Sequence, residues 1–133
     1  MLSPPASVVC STTVVSNVRV DRPLTVPGVF RARAGGTHTM AAGLLLEGAR
    51  VPTSGGDFQF YLLDKQSGCA IFLGRLAILG PTHLKVGNLH VYVELNARAL
   101  QIVRDIPDPT VRIVSGRMGD QPLQVGRITL TAA

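Results

Sequence analysis

The sequence has no tryptophan, and its aromatic residues amount to four phenylalanines and two tyrosines among 133 residues. A folded core must therefore consist mainly of aliphatic side chains, which supply most of the 46% hydrophobic content. No apolar run approaches the roughly 20 residues that a membrane-spanning helix requires. The first 15 residues contain neither a charged leader nor a long apolar core, which argues against a signal peptide. We therefore expect an intracellular protein that does not associate with membranes.

Cysteine and histidine are too few and too far apart to predict a metal site. Cys10 and Cys69 have no CxxC or Cys/His spacing, and two cysteines do not make a disulfide framework. We expect both to be free, mostly buried thiols. His38, His83 and His90 are isolated, and a lone histidine in a strand is usually a structural group. The sequence predicts no cofactor.

The charge pattern does not favour nucleic-acid binding. Eleven arginines and two lysines against eight acidic residues give a net charge of +5. A nucleic-acid surface would need these charges clustered, with aromatic residues between them. Here the arginines are spread along the whole chain, which is typical of solvated outward faces. A nucleic-acid partner is therefore not expected.

Glycine and proline divide the apolar residues into short segments. Fourteen glycines and nine prolines interrupt runs rich in valine, leucine and isoleucine, a pattern that favours strands and turns. We expect an all-β, jelly-roll-like sandwich or barrel of about eight to eleven short strands. Residues 1–11 are expected to form a flexible N-terminal arm, and residues 12–133 a single domain.

Several strands can be placed from the pattern. Strong apolar segments at 58–64 and 69–79 are joined by "KQSG", and "NLHVYVEL" (88–95) alternates most clearly. We expect 88–95 to be a central strand whose core-facing residues are Leu89, Val91, Val93 and Leu95. The closing strand has a break of parity at Gly126 that suggests a bulge. An apolar terminal strand is an aggregation hazard unless it is paired, so we expect it buried in its own sheet or against a partner chain.

The segment "NARALQIVRDI" (96–106) is ambiguous. It is short and rich in isoleucine and valine, which favours a strand. A helix is the alternative, because four apolar positions partly fit a 3.6-residue period: Ala97, Leu100, Ile102 and Val103.

The order of four short motifs resembles that of the trimeric dUTPases. The motifs are "AGLLLEGARVPTSGGDFQF" (42–60), "KQSGCA" (65–70), "GNLHVYVELN" (87–96) and "GDQPLQV" (119–125). They are similar to the family's "TGL"-type strand, its phosphate motif "PRSGLA", its strand "RGEVxVxLxN" and its "GDRIAQL" motif. The resemblance implies a jelly-roll fold and a homotrimer. It places remnants of a nucleotide site at Gln66, Ser67, Gly68, Gly119, Asp120 and Gln124.

The departures from the family pattern imply a pseudoenzyme. In the stretch 79–88, where dUTPases carry the carboxylate that positions the attacking water, no acidic residue is present. Gln66 replaces the arginine of the phosphate motif, which removes a bidentate phosphate clamp. The family's glycine-rich C-terminal arm has no counterpart. The aspartates that could ligate Mg²⁺ are scattered in sequence, namely Asp57, Asp64 and Asp120.

Two segments of the chain also resemble virus-encoded, non-catalytic relatives of the dUTPases. The adenoviral early-region-4 first-open-reading-frame proteins have a "VPTG" segment and a late "HDLSVLLFN" segment, which are similar to "VPTSGGDFQF" and "GNLHVYVELN" here. This resemblance implies a non-catalytic adaptor of host proteins in the host cytoplasm or nucleus. The ending "LTAA" places Thr131 at the offset of a PDZ-binding tail, but Ala133 is a poor terminal residue for the PDZ pocket.

Two other functions stay open. A structural assembly subunit of a capsid, decoration or filament type would fit the same jelly-roll pattern. Its proline-rich N-terminal arm could be donated to the sheet edge of a neighbour. An active nucleotide hydrolase is the third possibility. The mass of the protein in solution distinguishes an adaptor from an assembly subunit, because the adaptor predicts a closed trimer and the assembly subunit a polymer or shell. A dUTP turnover assay distinguishes a nucleotide hydrolase from both.

Overall fold

The computed structural model describes residues 8–9, 19–32, 40–52, 55–79, 87–116 and 121–132. These residues form eight strands and two helices, so the predicted all-β class is confirmed. The elements are β1 (Val8–Val9), β2 (Arg19–Thr25), α1 (Gly28–Ala32), β3 (Met40–Ala49), β4 (Gly55–Asp64), β5 (Cys69–Leu79), β6 (Gly87–Leu95), α2 (Ala97–Asp105), β7 (Thr110–Ser115) and β8 (Arg127–Ala132).

The strands form one sheet that curls into a nearly closed barrel. Their order is β1-β5-β4-β7-β2-β8-β3-β6, and every pair is antiparallel except β2 with β8. Val8 and Val9, which lie in the predicted N-terminal arm, pair with Ile71 and Ala70 at the edge of β5. The barrel interior holds the aliphatic core that the composition predicts, joined by Phe30, Phe58 and Phe60.

A bulge and a glycine in β5 allow the two edges of the curled sheet to approach each other. Phe60 pairs with Gly74 and Tyr61 pairs with Phe72, so Leu73 is an extra residue on β5. Such a bulge bends its strand and strengthens the local twist. A Cβ atom on Gly74 would lie 2.7 Å from the carbonyl oxygen of Tyr92 in β6. The absent side chain therefore lets β5 approach β6 closely.

Strand β6 has the predicted faces but a different position. Val91, Val93 and Leu95 are at most 3% exposed, and Leu89 is half-buried. However, β6 lies at one end of the strand order and pairs only with β3, so the predicted central position is wrong. The alternation indicates that one face of the strand is buried and the other is solvated. A strand at the edge of a curled sheet has the same two faces, so the alternation does not indicate its position in the sheet.

The last strand is buried within its own sheet, the first of the two arrangements that the sequence predicts. β8 lies between β2 and β3, and its apolar residues Ile128 and Leu130 are fully buried. Leu123 and Val125, which precede the strand, are also buried. The chain bends at Gly126, and this bend produces the break of parity seen in the sequence.

The segment 97–105 is helical, so the favoured prediction of a strand is wrong. Asn96 caps α2, because its side-chain oxygen accepts a hydrogen bond of 2.8 Å from the amide of Ala99. The buried face consists of Ala99, Leu100, Ile102 and Val103. The cap and this amphipathic face outweigh the weak strand preference of isoleucine and valine.

Cys69 is half of a disulfide, so the expectation of a free thiol is wrong for this residue. The only other cysteine, Cys10, lies outside the described residues. Neither helix in the described part of the chain is long and apolar enough to cross a membrane.

Candidate functional site

The "KQSG" segment forms the turn between β4 and β5. Lys65, Gln66, Ser67 and Gly68 occupy the turn, and the amide of Gly68 donates to the carbonyl of Asp64 at 2.8 Å. Gly68 has φ of 72°, a left-handed conformation that glycine adopts without steric cost. The match of this glycine to the family motif therefore also has a local structural cause.

The carboxylate of Asp64 organises this turn and connects it to α2. Its Oδ1 accepts from the amide of Gln66 at 3.1 Å, and its Oδ2 accepts from the hydroxyl of Ser67 at 2.8 Å. Arg98, in the first turn of α2, donates from Nη2 to the same Oδ2 at 2.9 Å and to the Ser67 oxygen at 3.0 Å. Asp64, Ser67 and Arg98 thus form one closed cluster, which we call the turn cluster.

The environment of Asp64 favours its charged form. The hydrogen bond from Arg98, followed by that from Ser67, lowers the pKa of this carboxyl below its ordinary value of 3.8. The Asp64 side chain is only 12% exposed, whereas that of Arg98 is 45% exposed. A carboxylate held in this way is a poor proton acceptor near neutral pH, because general bases work best with a pKa near the working pH.

A surface depression of about 560 Å³ lies beside the turn cluster. Gln66, Gln101 and Asp105 contribute polar side chains to its wall, and Ile102 and Ile106 contribute apolar ones. Asp64 and Arg98 line it as well, but they are bonded to each other. The depression therefore offers amides, one further carboxylate and apolar surface to a ligand.

Gln124 lies in a different part of the surface from Gln66, Ser67 and Gly68. The backbone N–H of Gln124 donates to the backbone carbonyl of Arg50 at 3.2 Å, and the backbone carbonyl of Gln124 accepts from the backbone N–H of Arg50 at 2.8 Å. Gln124 lines two other depressions, of about 430 Å³ each, and does not line the one beside the turn cluster. Gly119 and Asp120 lie outside the described residues. The predicted remnants of a nucleotide site do not converge among the described residues of a single chain.

The two depressions at Gln124 adjoin each other, because both are lined by Arg50, Pro122 and Gln124. We call the combined surface the arginine notch. Arg22 lines one of its halves, and Pro52 lines the other. The notch lies where β2 has no strand partner on one side within the described segments, since β8 first pairs with β2 at Leu24.

The aspartates considered as Mg²⁺ ligands are engaged with arginines instead. Asp57 binds the Arg75 guanidinium through both carboxylate oxygens, and Asp64 binds Arg98. Asp120 lies outside the described residues. In the described segments, no three histidine, cysteine or acidic side chains come together as a metal site.

Sequence reasoning considered Asp64 only as a possible Mg²⁺ ligand, and it missed Arg98 as a member of the site. Asp64 had a local signal, because an aspartate at the start of a turn often accepts bonds from backbone amides two residues on. Arg98 had none, since its partner lies 34 residues away and only the fold brings the two together.

Comparison with known families and with curated proteins gives no significant match: no family model fits the chain, and no curated protein resembles it closely enough to count. The likeness to dUTPases therefore rests on the motif residues alone.

Proposed function

We propose that this chain is a dUTPase-like pseudoenzyme that acts through protein–protein interaction and not through catalysis. The observation that carries this proposal is the turn cluster. The Ser67 hydroxyl donates to Asp64 and accepts from Arg98, and the backbone amides of Gln66 and Gly68 also donate to Asp64, so these polar groups of the motif stabilise the turn. A phosphate contact through Ser67 would have to break the bond to Asp64 and leave that carboxylate with one partner fewer.

Exposed side chains on the barrel support an interaction role. Tyr92 is 64% exposed on the outer face of β6, beside the exposed residues His90 and Glu94. Tyrosine and arginine are enriched in protein interfaces, because each combines a large contact area with hydrogen-bonding groups. Arg50 and Arg22 in the arginine notch are exposed too.

The proposal includes a homotrimer and a viral adaptor that binds host proteins, as the family resemblance implies. A location in the host cytoplasm or nucleus belongs to the same proposal. The disulfide at Cys69 weighs against that location, because disulfides rarely persist in the reducing cytosol.

A structural assembly subunit is the second candidate function, and β1 favours it. Val8 and Val9 add a strand at the edge of β5. An edge that accepts a short N-terminal strand from its own chain can accept the same strand from a neighbour. Analytical ultracentrifugation at several concentrations separates the two functions, because the adaptor predicts a closed trimer and the assembly subunit a polymer that grows with concentration.

A dUTP turnover assay tests the non-catalytic part of the proposal. Purified protein with Mg²⁺ should release no diphosphate from dUTP above the uncatalysed rate, and Ser67→Ala should behave identically. Metal-dependent turnover that Ser67→Ala abolishes would instead establish a nucleotide hydrolase.

A further inference from the structure

We propose that the arginine notch binds an acidic segment of a partner protein, with a carboxylate held between Arg22 and Arg50. This inference rests on the proposed interaction function and names the chemistry of one binding surface. It is carried by the two arginines that line the same notch, by the absence of acidic residues from its described lining and by its apolar residues.

The position of Arg22 follows from a gap in the barrel wall. Arg22 is paired with Val111, which is fully buried, so the two side chains leave β2 and β7 on the core-facing side. β8 continues the barrel wall next to β2 only at Leu24 and Thr25, so among the described residues no strand pairs with β2 on that side at Arg22. The Arg22 side chain therefore emerges into the notch, where it is exposed.

Arg22 is oriented by the chain that forms the floor of the notch. Its Nε donates to the carbonyl of Val125 at 3.1 Å, and its Nη1 donates to the carbonyl of Asp21 at 3.3 Å. The described residues provide no acceptor for its Nη2. A guanidinium fixed through two nitrogens with a third one open needs little reorganisation to bind an anion.

Arg50, the residue that follows β3, lines the same notch. Its backbone is fixed by the pair of hydrogen bonds to Gln124. Its exposed guanidinium has no ion pair or side-chain hydrogen bond with any residue that the structure describes. This distinguishes it from Arg75, Arg98 and Arg112, which all bind aspartates.

The nearby acids do not neutralise the notch. Asp21 points its carboxylate to Arg112, which donates to both oxygens at 2.8 and 3.0 Å. No acidic residue lines either half of the notch among the described residues. The described lining therefore carries the positive charge of Arg22 and Arg50, and each guanidinium can donate a charge-assisted hydrogen bond to a carboxylate.

The shape and lining favour a peptide over an isolated ion. The two halves together extend well beyond the size of a single carboxylate. Apolar residues line both halves of the notch: Val51, Pro52 and Pro122 line one half, and Val20 lines the other together with Pro122. A peptide with an aspartate or glutamate next to apolar residues would match both features. Nucleic acid fits less well, because the exposed aromatic Tyr92 is not part of the notch.

Selection from a library of random peptides tests the inference. Peptides displayed on phage are selected on the immobilised full-length protein and sequenced in comparison with the input library. Peptides selected on the wild type should be enriched in aspartate and glutamate beside apolar residues. The enrichment should disappear on Arg50→Gln and on Arg22→Gln, and should persist on Arg19→Gln. Arg19 lies on the same strand as Arg22 but outside the notch, so this control removes the same charge.

Binding of a selected peptide, made synthetically, gives the quantitative test. Its affinity, measured by fluorescence anisotropy, should fall by about tenfold on Arg50→Gln, as expected for losing one charge-assisted contact. The Arg19→Gln control should change it by less than about twofold. Arg50→Gln keeps the backbone bridge to Gln124, and thermal unfolding of the variant verifies that the fold is retained.

Three outcomes would overturn the notch assignment. The first is an absence of acidic enrichment, the second is an enrichment that Arg50→Gln and Arg22→Gln leave intact, and the third is tighter, arginine-dependent binding of a short oligothymidylate. If selected peptides lack acids and bind elsewhere, the interaction function stands and only the notch fails. Hydrolysis of dUTP would contradict the proposed function alone.

Discussion

Replacing Gly74 by alanine should destabilise the protein, because Gly74 lies where β5 approaches β6 and nearly closes the barrel. The new methyl group would lie 2.7 Å from the carbonyl oxygen of Tyr92 and 3.1 Å from a methyl carbon of Val93. The first of these neighbours is a backbone atom, so it cannot rotate away, and β5 and β6 must separate. Overpacking of this kind costs about 1–3 kcal/mol of unfolding free energy.

Gly28→Ala is the matched control for this substitution. None of the described residues has an atom within 4 Å of a Cβ at Gly28, and the φ of Gly28 is not positive. Alanine there should stabilise the protein by about 0.4–1 kcal/mol, because it reduces the conformational entropy of the unfolded chain. The two variants should therefore differ by about 1.5–4 kcal/mol in urea-induced unfolding followed by circular dichroism. Equal unfolding free energies would refute the close approach of β5 and β6.

Three other predictions concern the core, acid stability and the disulfide. Val93→Asp should lower stability by several kcal/mol, since it buries an unpaired carboxylate at a site 1% exposed; an unchanged melting temperature, with the exposed Tyr92→Asp as control, would contradict the register of β6. Because Arg98 and Ser67 lower the pKa of Asp64, the stability from this carboxylate is present above its ordinary pKa of 3.8 and is lost as the pH falls through the folded value. Denaturant titrations from pH 6 to pH 2 should therefore show a smaller acid-induced loss of unfolding free energy for Asp64→Asn than for the wild type. If the unfolding free energies of both proteins fall in parallel, the stabilising role of the Asp64 carboxylate is contradicted. Reduction with dithiothreitol should lower the melting temperature of the wild type but not of Cys69→Ser, and a wild type indifferent to reductant would contradict the disulfide.

The parts of the fold that were predictable depend on local patterns. The apolar segment 69–79 coincides with β5, and the alternation in 88–95 identifies the core face of β6. The neighbours of β6 depend on how the whole sheet curls, which no local pattern encodes. The α2 helix was missed because its isoleucine and valine residues favour strands, whereas the Asn96 cap and the buried face decide the structure.

The candidate site was less predictable than the fold for the same reason. The turn itself was predictable, since "KQSG" was expected to join the two apolar segments and Gln66, Ser67 and Gly68 do lie between β4 and β5. Their partner Arg98 comes from another element, and the family motif gave no indication of it. The arginine notch was missed because Arg22 and Arg50 are far apart in sequence and become neighbours only where β8 leaves the barrel wall open.

A double-mutant cycle on the turn cluster tests whether residues 65–70, which resemble a phosphate-binding motif, contribute to the stability of the fold. The four proteins are the wild type, Ser67→Ala, Arg98→Gln and the double variant, compared by urea unfolding at neutral pH. Each single substitution should lower the unfolding free energy by about 0.5–1 kcal/mol, because these hydrogen bonds lie at the exposed surface and solvent weakens them. The coupling between them should reach about 0.5 kcal/mol or more, because both side chains bind the same Asp64 oxygen. Single variants as stable as the wild type, with no coupling, would show that Ser67 and Arg98 are not needed for folding and would contradict the account.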